Sequence, residues 1–135
     1  MAYRSDVRIR LTKEDYERLV NEFNEKIKID DFYHLFKHLD VYKEENDKVI
    51  YIQNKDNEWE EKKVDSVYFG WNDVKWYEDY GFDDVDFIMD FMENCKQYAF
   101  IRIGESCEGD IDTREDGFDM INYYYAFDDD EGGNI

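Results

Sequence analysis

The chain has 135 residues, with 36 acidic against 17 basic side chains and a formal net charge of −19. Its length suits one domain, and its 42% hydrophobic residues, including 19% aromatic ones, exclude disorder of the whole chain. So large a negative charge is repelled by nucleic acid and by anionic membranes. This excludes direct binding to either one and favours partners with basic surfaces; the alternative is that the charge serves only solubility or salt adaptation.

The first part of the sequence predicts a strand followed by a helix. Apolar residues alternate with arginines over residues 7–11, which is typical of a half-buried strand. Thr12, with Asp15 three residues later, forms a helix-capping pattern. The helix that begins there is expected to end at about Lys26, and a shorter helix is expected over residues 32–39.

The rest of the sequence predicts four more strands and one more long helix. Strands are predicted at residues 49–53, 64–71, 98–105 and 120–127. Residues 54–57 are a predicted turn. Residues 83–96 carry apolar side chains at helical spacing, with acids at the start and Lys96 at the end, which suits the helix dipole.

This order of elements predicts an α+β fold. Strand, helix, strand, strand, helix and strand is the ferredoxin-like order, and one extra C-terminal strand follows it. We therefore expect an antiparallel sheet with two main helices on one face. Residues 1–127 are predicted to form this single domain, and the acidic residues 128–135 a flexible tail.

The negative charge is concentrated in the second half of the chain. Residues 1–63 carry a net charge of −3, whereas residues 64–135 carry −16. Four carboxylates recur at intervals of three, four and three residues along the last predicted helix: Asp83, Asp86, Asp90 and Glu93. Like charges at this spacing share a helix face and cost stability. We interpret the row as a mimic of nucleic-acid phosphates, which proteins contact with Lys and Arg; the alternative is a solvated acidic face.

The segment at residues 69–77 is unusually rich in aromatic residues for a loop. It contains Trp71 and Trp76, and Tyr80 follows shortly after. We expect one of the two tryptophans to close the core. Exposed Trp and Tyr side chains are favoured anchors at interfaces, so Trp76 and Tyr80 are predicted to bind the partner.

Three arginines suggest a different function, the binding of a small anion or nucleotide. Arg8, Arg10 and Arg102 each lie next to apolar residues that would point to the opposite side of their strand. If the strands pair, the three guanidinium groups could line an open sheet face beside Tyr68. The alternative is that they form internal ion pairs with the abundant Asp and Glu residues.

The sequence provides little support for a metal site, a cofactor or catalysis. His34 and His38 are four residues apart, but no HExxH motif surrounds them. The acidic loop at residues 108–116 departs from the EF-hand order, which leaves calcium binding there an open question. No P-loop, dinucleotide fingerprint or nucleophile elbow is present. We therefore predict no metal, no cofactor and no enzymatic activity.

The cysteines and the apolar pattern indicate a cytoplasmic protein. Cys95 and Cys107 form no CxxC pair, and residues 1–6 lack the apolar region of a secretory signal. Both cysteines are expected to be reduced thiols, because cytosolic proteins seldom contain disulfides. An open sheet edge would permit a homodimer.

Three segments resemble a pattern in small acidic proteins carried by phages and prophages of low-GC Gram-positive bacteria. They are Val-Lys-Trp-Tyr at 74–77, Asp-Val-Asp-Phe-Ile-Met at 84–89 and Phe-Ile-Arg-Ile-Gly-Glu at 100–105. The likeness spans most of residues 6–112. It implies an accessory protein made in an infected cell, of a kind that often inhibits host enzymes or defence systems such as CRISPR nucleases and restriction enzymes. The prediction is a phage-type, anti-CRISPR-like inhibitor that binds a basic nucleic-acid-binding groove of a host protein.

Overall fold

A computed structural model of the chain describes residues 4–27, 35–74, 76, 84–104 and 111–116. The described part contains five strands and two α-helices, with a 3₁₀ turn at Leu35–Lys37. The elements are β1 (Ser5–Thr12), α1 (Lys13–Ile27), β2 (Val41–Gln53), β3 (Trp59–Val74), α2 (Asp84–Glu93), β4 (Tyr98–Gly104) and β5 (Ile111–Asp116). The prediction of an α+β fold is confirmed.

The five strands form one antiparallel sheet in the order β2-β3-β1-β4-β5. The central strand is β1, and its Ile9 lies opposite Phe69 of β3 and Phe100 of β4. The central position explains the burial of this strand, because it has neighbours on both edges. Directly opposed residues point to the same face of a sheet, so this register decides which side chains can meet.

Helix α1 begins at the residue that its capping pattern predicts. The backbone N–H of Asp15 donates a hydrogen bond of 3.1 Å to Oγ1 of Thr12. This bond satisfies one of the N–H groups that lack a partner in the first turn of a helix. Leu19 and Phe23 of the helix are fully buried.

The larger hydrophobic cluster joins both helices to alternate residues of β1 and β3. Its buried members are Val7, Ile9, Leu11, Leu19, Phe23, Leu35, Val67, Phe69, Trp71, Trp76, Val85, Ile88, Met89, Met92, Cys95 and Phe100. Aromatic rings meet edge to face within it, as Phe23 and Phe36 do at a centroid distance of 5.0 Å. The indole N–H of Trp71 donates a 2.8 Å hydrogen bond to the carbonyl oxygen of Leu35, which anchors the 3₁₀ turn to the sheet.

A second cluster uses the strand residues of opposite parity. Its buried members are Val41, Ile50, Tyr68, Ala99 and Ile101, with Ile52, Val64, Ile103 and Ile111 packed against them. The second cluster therefore draws on β2, β3, β4 and β5. Because successive strand residues point to opposite faces, both faces of this sheet carry buried apolar residues.

Gly70 of β3 lies opposite Arg8 of β1. A Cβ atom at this position would lie 1.9 Å from the carbonyl oxygen of Val7 and 2.8 Å from Cδ of Arg8. No side chain fits there, so the contact between β1 and β3 requires glycine.

Several strand boundaries differ from those predicted. Strand β2 begins at Val41, eight residues before the predicted start, and β3 extends from Trp59 to Val74. Residues 111–116 form β5, which corrects the interpretation of 108–116 as a loop. Residues 120–127, predicted as a strand, and 128–135, predicted as a tail, lie outside the described residues, as does part of the short helix predicted at 32–39.

Candidate partner-binding surfaces

The acidic row of α2 is only partly available to a partner. Asp90 and Glu93 are exposed, whereas Asp86 is half-buried. The carboxylate of Asp90 forms no ion pair with any residue that the structure describes. Asp83, the first member of the predicted row, lies outside those residues. The structure therefore presents two exposed carboxylates one helical turn apart.

Glu93 has a basic neighbour that the sequence did not suggest. Arg114 of β5 forms ion pairs with Glu93 and with Asp112, the latter at 3.0 Å. The same guanidinium group lies 5.6 Å from the centre of the Phe100 ring. Thus the row is not free of basic residues in space, although none interrupts it in sequence before Lys96.

Trp76 lies in the core, which corrects the expectation that it is an exposed anchor. Its side chain is 4% exposed and lies against Trp71, with ring centroids 5.5 Å apart. The Trp76 ring also lies 6.3 Å from Phe100. A buried indole of this kind holds the larger cluster together and offers no surface to a partner. Tyr80, the second predicted anchor, lies outside the described residues.

Arg8 and Arg10 are buried and hydrogen-bonded within the protein. Nη1 of Arg8 donates to the carbonyl oxygens of Val7 and Trp71 at 2.9 and 3.0 Å, and Nη2 donates to Oδ1 of Asn72 at 2.6 Å. Arg10 pairs with Glu45 at 3.2 Å, and its guanidinium group lies 5.0 Å from the centre of the Tyr68 ring. For Arg10, the structure therefore shows the alternative that the sequence left open, an internal ion pair with an acidic residue.

Arg102 lies on the other face of the sheet from Arg8 and Arg10. In the register of β1 with β4, Arg102 is opposite Val7, whereas Arg8 is opposite Ile101. Nη1 of Arg102 donates to Oγ of Ser5 at 3.1 Å. The predicted triad of arginines on one open face is wrong, because Arg102 points to the opposite face from the other two. Alternation within each strand predicts which residues share a face of that strand, but it does not predict how two strands align.

The end of the β2–β3 hairpin is a surface that the sequence did not reveal. The pairing of β1 with β3 ends at Thr12 and Ser66, so beyond this point β2 is the one strand of the described residues that pairs with β3. We call residues 48–64 the ribbon. One of its faces, containing Ile50, Ile52 and Val64, belongs to the second hydrophobic cluster.

The opposite face of the ribbon, here called the outer face, carries the exposed large hydrophobic residues found in the described part of the chain. Its three cross-strand pairs are Val49 with Lys63, Tyr51 with Glu61 and Gln53 with Trp59. Val49 is 37% exposed, Tyr51 47% and Trp59 69%. The sequence does hold one signal for this surface, since Trp59 stands within the charged run Glu58 to Lys63.

A turn of defined geometry closes the ribbon. Oδ1 of Asn54 accepts hydrogen bonds from the N–H groups of Asp56 and Glu58, at 2.9 and 3.0 Å. Asn57 has a φ of 62°, a left-handed conformation that asparagine tolerates better than most residues. The predicted turn at 54–57 is confirmed, and it fixes the register that places Tyr51 and Trp59 on one face.

An open groove of about 860 Å³ lies beside the start of α1 and the segment after α2. Four basic and four acidic side chains line it, so it has no bias toward anions or cations.

Cys95, which is 6% exposed, also lines this groove and donates a hydrogen bond from Sγ to the carbonyl oxygen of Phe91 at 3.3 Å. Burial, followed by the nearby Asp15 carboxylate, raises the pKa of the thiol to about 12, against the opposing effect of Arg18. This thiol is protonated and unreactive at neutral pH.

Within the described residues, no three His, Cys, Asp or Glu side chains are grouped so that they could hold a metal ion. His38 is exposed, and His34 lies outside the described part. Asp112, from the acidic segment considered for calcium, belongs to β5 and pairs with Arg114.

Comparisons with protein-family models, curated proteins and solved structures found no match to this chain. None of the helices in the described part is long and apolar enough to cross a membrane.

Proposed function

We propose that this protein is a phage-type inhibitor that occupies a basic nucleic-acid-binding groove of a host defence nuclease or a related enzyme. Its carboxylates would take the place of phosphates, and it would act by binding rather than by catalysis. The observation that supports this proposal is the net charge of −16 within residues 64–135. A groove that binds phosphates with Lys and Arg attracts a surface with this much negative charge.

The exposed end of α2 is the best-placed part of the acidic surface. Asp90 and Glu93 lie one turn apart, and neither is buried. In a complex, the basic side chains of a partner would compete with Arg114 for Glu93, whereas Asp90 needs no such exchange. We therefore assign Asp90 as the first phosphate mimic and Glu93 as the second.

The proposed setting is the cytoplasm of an infected Gram-positive cell. The resemblance to phage and prophage accessory proteins supports this setting, and the free thiol of Cys95 fits it. An anti-CRISPR or anti-restriction role is the form of inhibition that the resemblance favours.

We further propose that the architecture is a ferredoxin-like sheet with one added strand and both helices on one face. The order β2-β3-β1-β4, with β5 beyond β4, supports this proposal. So does the cluster that contains residues of α1, α2 and alternate positions of β1.

A pull-down from a Gram-positive host lysate tests the proposed function. The tagged protein is expected to retain a nucleic-acid-binding protein at about 50 mM salt and to lose most of it by about 200 mM, because the contacts replace those to phosphate. Retention of a partner that resists salt and has no nucleic-acid-binding surface would argue against the proposal.

A further inference from the structure

The outer face of the ribbon exposes apolar area that the fold does not use. Tyr51 and Trp59 are diagonal neighbours on this face, since Tyr51 is opposite Glu61 and Trp59 lies two residues before Glu61. Diagonal neighbours in an antiparallel pair are close enough for aromatic side chains to meet. Val49 continues the same face toward the sheet, so the three exposed side chains form one strip.

Trp59 of this strip differs in its exposure from the other two tryptophans of the chain. Trp71 and Trp76 are buried in the larger cluster, whereas Trp59 is 69% exposed. Trp and Tyr are the side chains most often found as energetic anchors of protein interfaces. The opposite face of the same ribbon is committed to the second cluster through Ile50. The ribbon is therefore held from within while its outer face remains accessible.

We propose that the outer face of the ribbon docks on an arginine- or lysine-bearing segment of a basic partner protein. This inference rests on the proposed function, since it takes the basic groove as given and assigns its apolar anchor. Cationic side chains stack on the faces of Trp and Tyr rings, so a segment rich in arginine complements the rings as well as the carboxylates elsewhere on the chain.

Charge complementarity selects this occupant over a second copy of the chain. Two copies each carry a net charge of −19 and repel one another. The outer face itself carries one acid, Glu61, and one base, Lys63, so its own charges cancel and the attraction to a basic segment comes from the carboxylates elsewhere on the chain. The carboxylates would then steer the encounter, and Tyr51 and Trp59 would hold the partner after contact.

A fluorescence titration with a short arginine-rich peptide at about 50 mM salt tests the inference. Because Trp59 is the exposed tryptophan among the described residues, its emission is expected to move to shorter wavelength and to gain protection from acrylamide as the peptide binds. For variants that lack Trp59, binding is followed by the fluorescence anisotropy of a dye-labelled peptide. We expect Trp59→Ala to weaken binding about five-fold or more, and Trp59→Tyr to restore most of it, because the ring carries the interaction.

Lys62→Ala provides the matched control, since Lys62 lies opposite Ile50 and not on the outer face. This variant is expected to bind the peptide no more weakly than the wild type does. Circular dichroism of each variant checks that the fold is intact.

Three results would overturn the inference, and they differ in what they leave standing. If the peptide binds the wild type and Trp59→Ala equally, the ribbon is not the anchor, although the basic-partner function stands. If no peptide binds at low salt, the proposed function fails and the inference fails with it. If Trp59 becomes protected from acrylamide as the protein concentration rises without any peptide, and sedimentation shows a dimer that Trp59→Ala dissociates, the occupant is a second copy.

Discussion

Gly70 shows how one residue fixes the packing of two strands. The nearest obstacle to a side chain at this position is the carbonyl oxygen of Val7, which is part of the backbone and cannot rotate away. Arg8, which lies opposite Gly70, runs its side chain across the same space and donates to the carbonyl oxygen of Trp71. The glycine therefore serves both the strand contact and the buried guanidinium group.

We expect Gly70→Ala to lower the free energy of unfolding by about 3 kcal/mol or more, because the clash must be relieved by moving β1 from β3. Ser66→Ala, in the same strand, is the control. The hydroxyl of Ser66 is buried and forms no hydrogen bond within the described structure, so its removal should be nearly neutral or stabilising. Chemical denaturation of both variants measures the difference, and equal midpoints would contradict the packing described for Gly70.

Cys95 provides a test of burial that does not depend on a partner. Its pKa is raised from 9.0 to about 12, so the folded protein retains the thiol proton more tightly than the unfolded chain does. The stabilisation that results is present below a pH of about 9 and is lost as the pH rises toward 12. At a pH of about 8, in a Cys107→Ser background, we expect alkylation of the folded protein to be about a hundred-fold slower than in denaturant. Similar rates in the two states would show that the thiol is accessible.

At the scale of elements, the cap of α1 is the clearest agreement between sequence and structure. Removing the Thr12 hydroxyl leaves the N–H of Asp15 without its side-chain acceptor. We expect Thr12→Ala to cost about 1 kcal/mol of stability, whereas Thr12→Ser, which keeps the hydroxyl, should cost much less. Thermal unfolding of the two variants makes the comparison, and an equal loss in both would assign the effect to the methyl group instead.

Local patterns were sufficient to predict β1, α1, the turn at 54–57 and most of β4, because each signal lies within its own element. They were insufficient for β2 and β5. Residues 41–48 are mostly polar, and the register shifts between Glu45 and Lys48, which breaks the alternation there. Residues 111–116 contain four charged side chains, a composition that predicts an acidic loop rather than a strand.

The candidate sites depended on information that no single element contains. The face occupied by Arg102 is set by its pairing with Val7, and the partner of Glu93 comes from β5, twenty-one residues away. Trp76 is buried although an exposed role was expected for it, because burial is decided by the sheet and by α2 rather than by the aromatic content of the local segment. The exposed tryptophan is Trp59, to which the sequence analysis assigned no role.

At the scale of the whole molecule, the acidic surface and the aromatic strip occupy different parts of the chain. The excess charge belongs to residues 64–135, whereas the strip lies within the ribbon at 48–64. Long-range attraction and short-range anchoring would thus come from separate surfaces. A partner must be large enough, or suitably shaped, to contact both.

Competition for the captured partner between the protein and duplex DNA at low salt tests whether the protein takes the place of nucleic acid. The informative variant is Asp90→Lys with Glu93→Lys. The control is Glu22→Lys with Glu25→Lys, which reverses two exposed acids at the same spacing on α1 and changes the net charge equally. We predict that DNA displaces the wild type and the control at similar concentrations, and that the α2 variant binds at least about ten-fold more weakly. If both variants bind equally more weakly, net charge alone accounts for the effect and the α2 carboxylates have no special role. If DNA does not displace the protein from its partner, the protein does not take the place of nucleic acid.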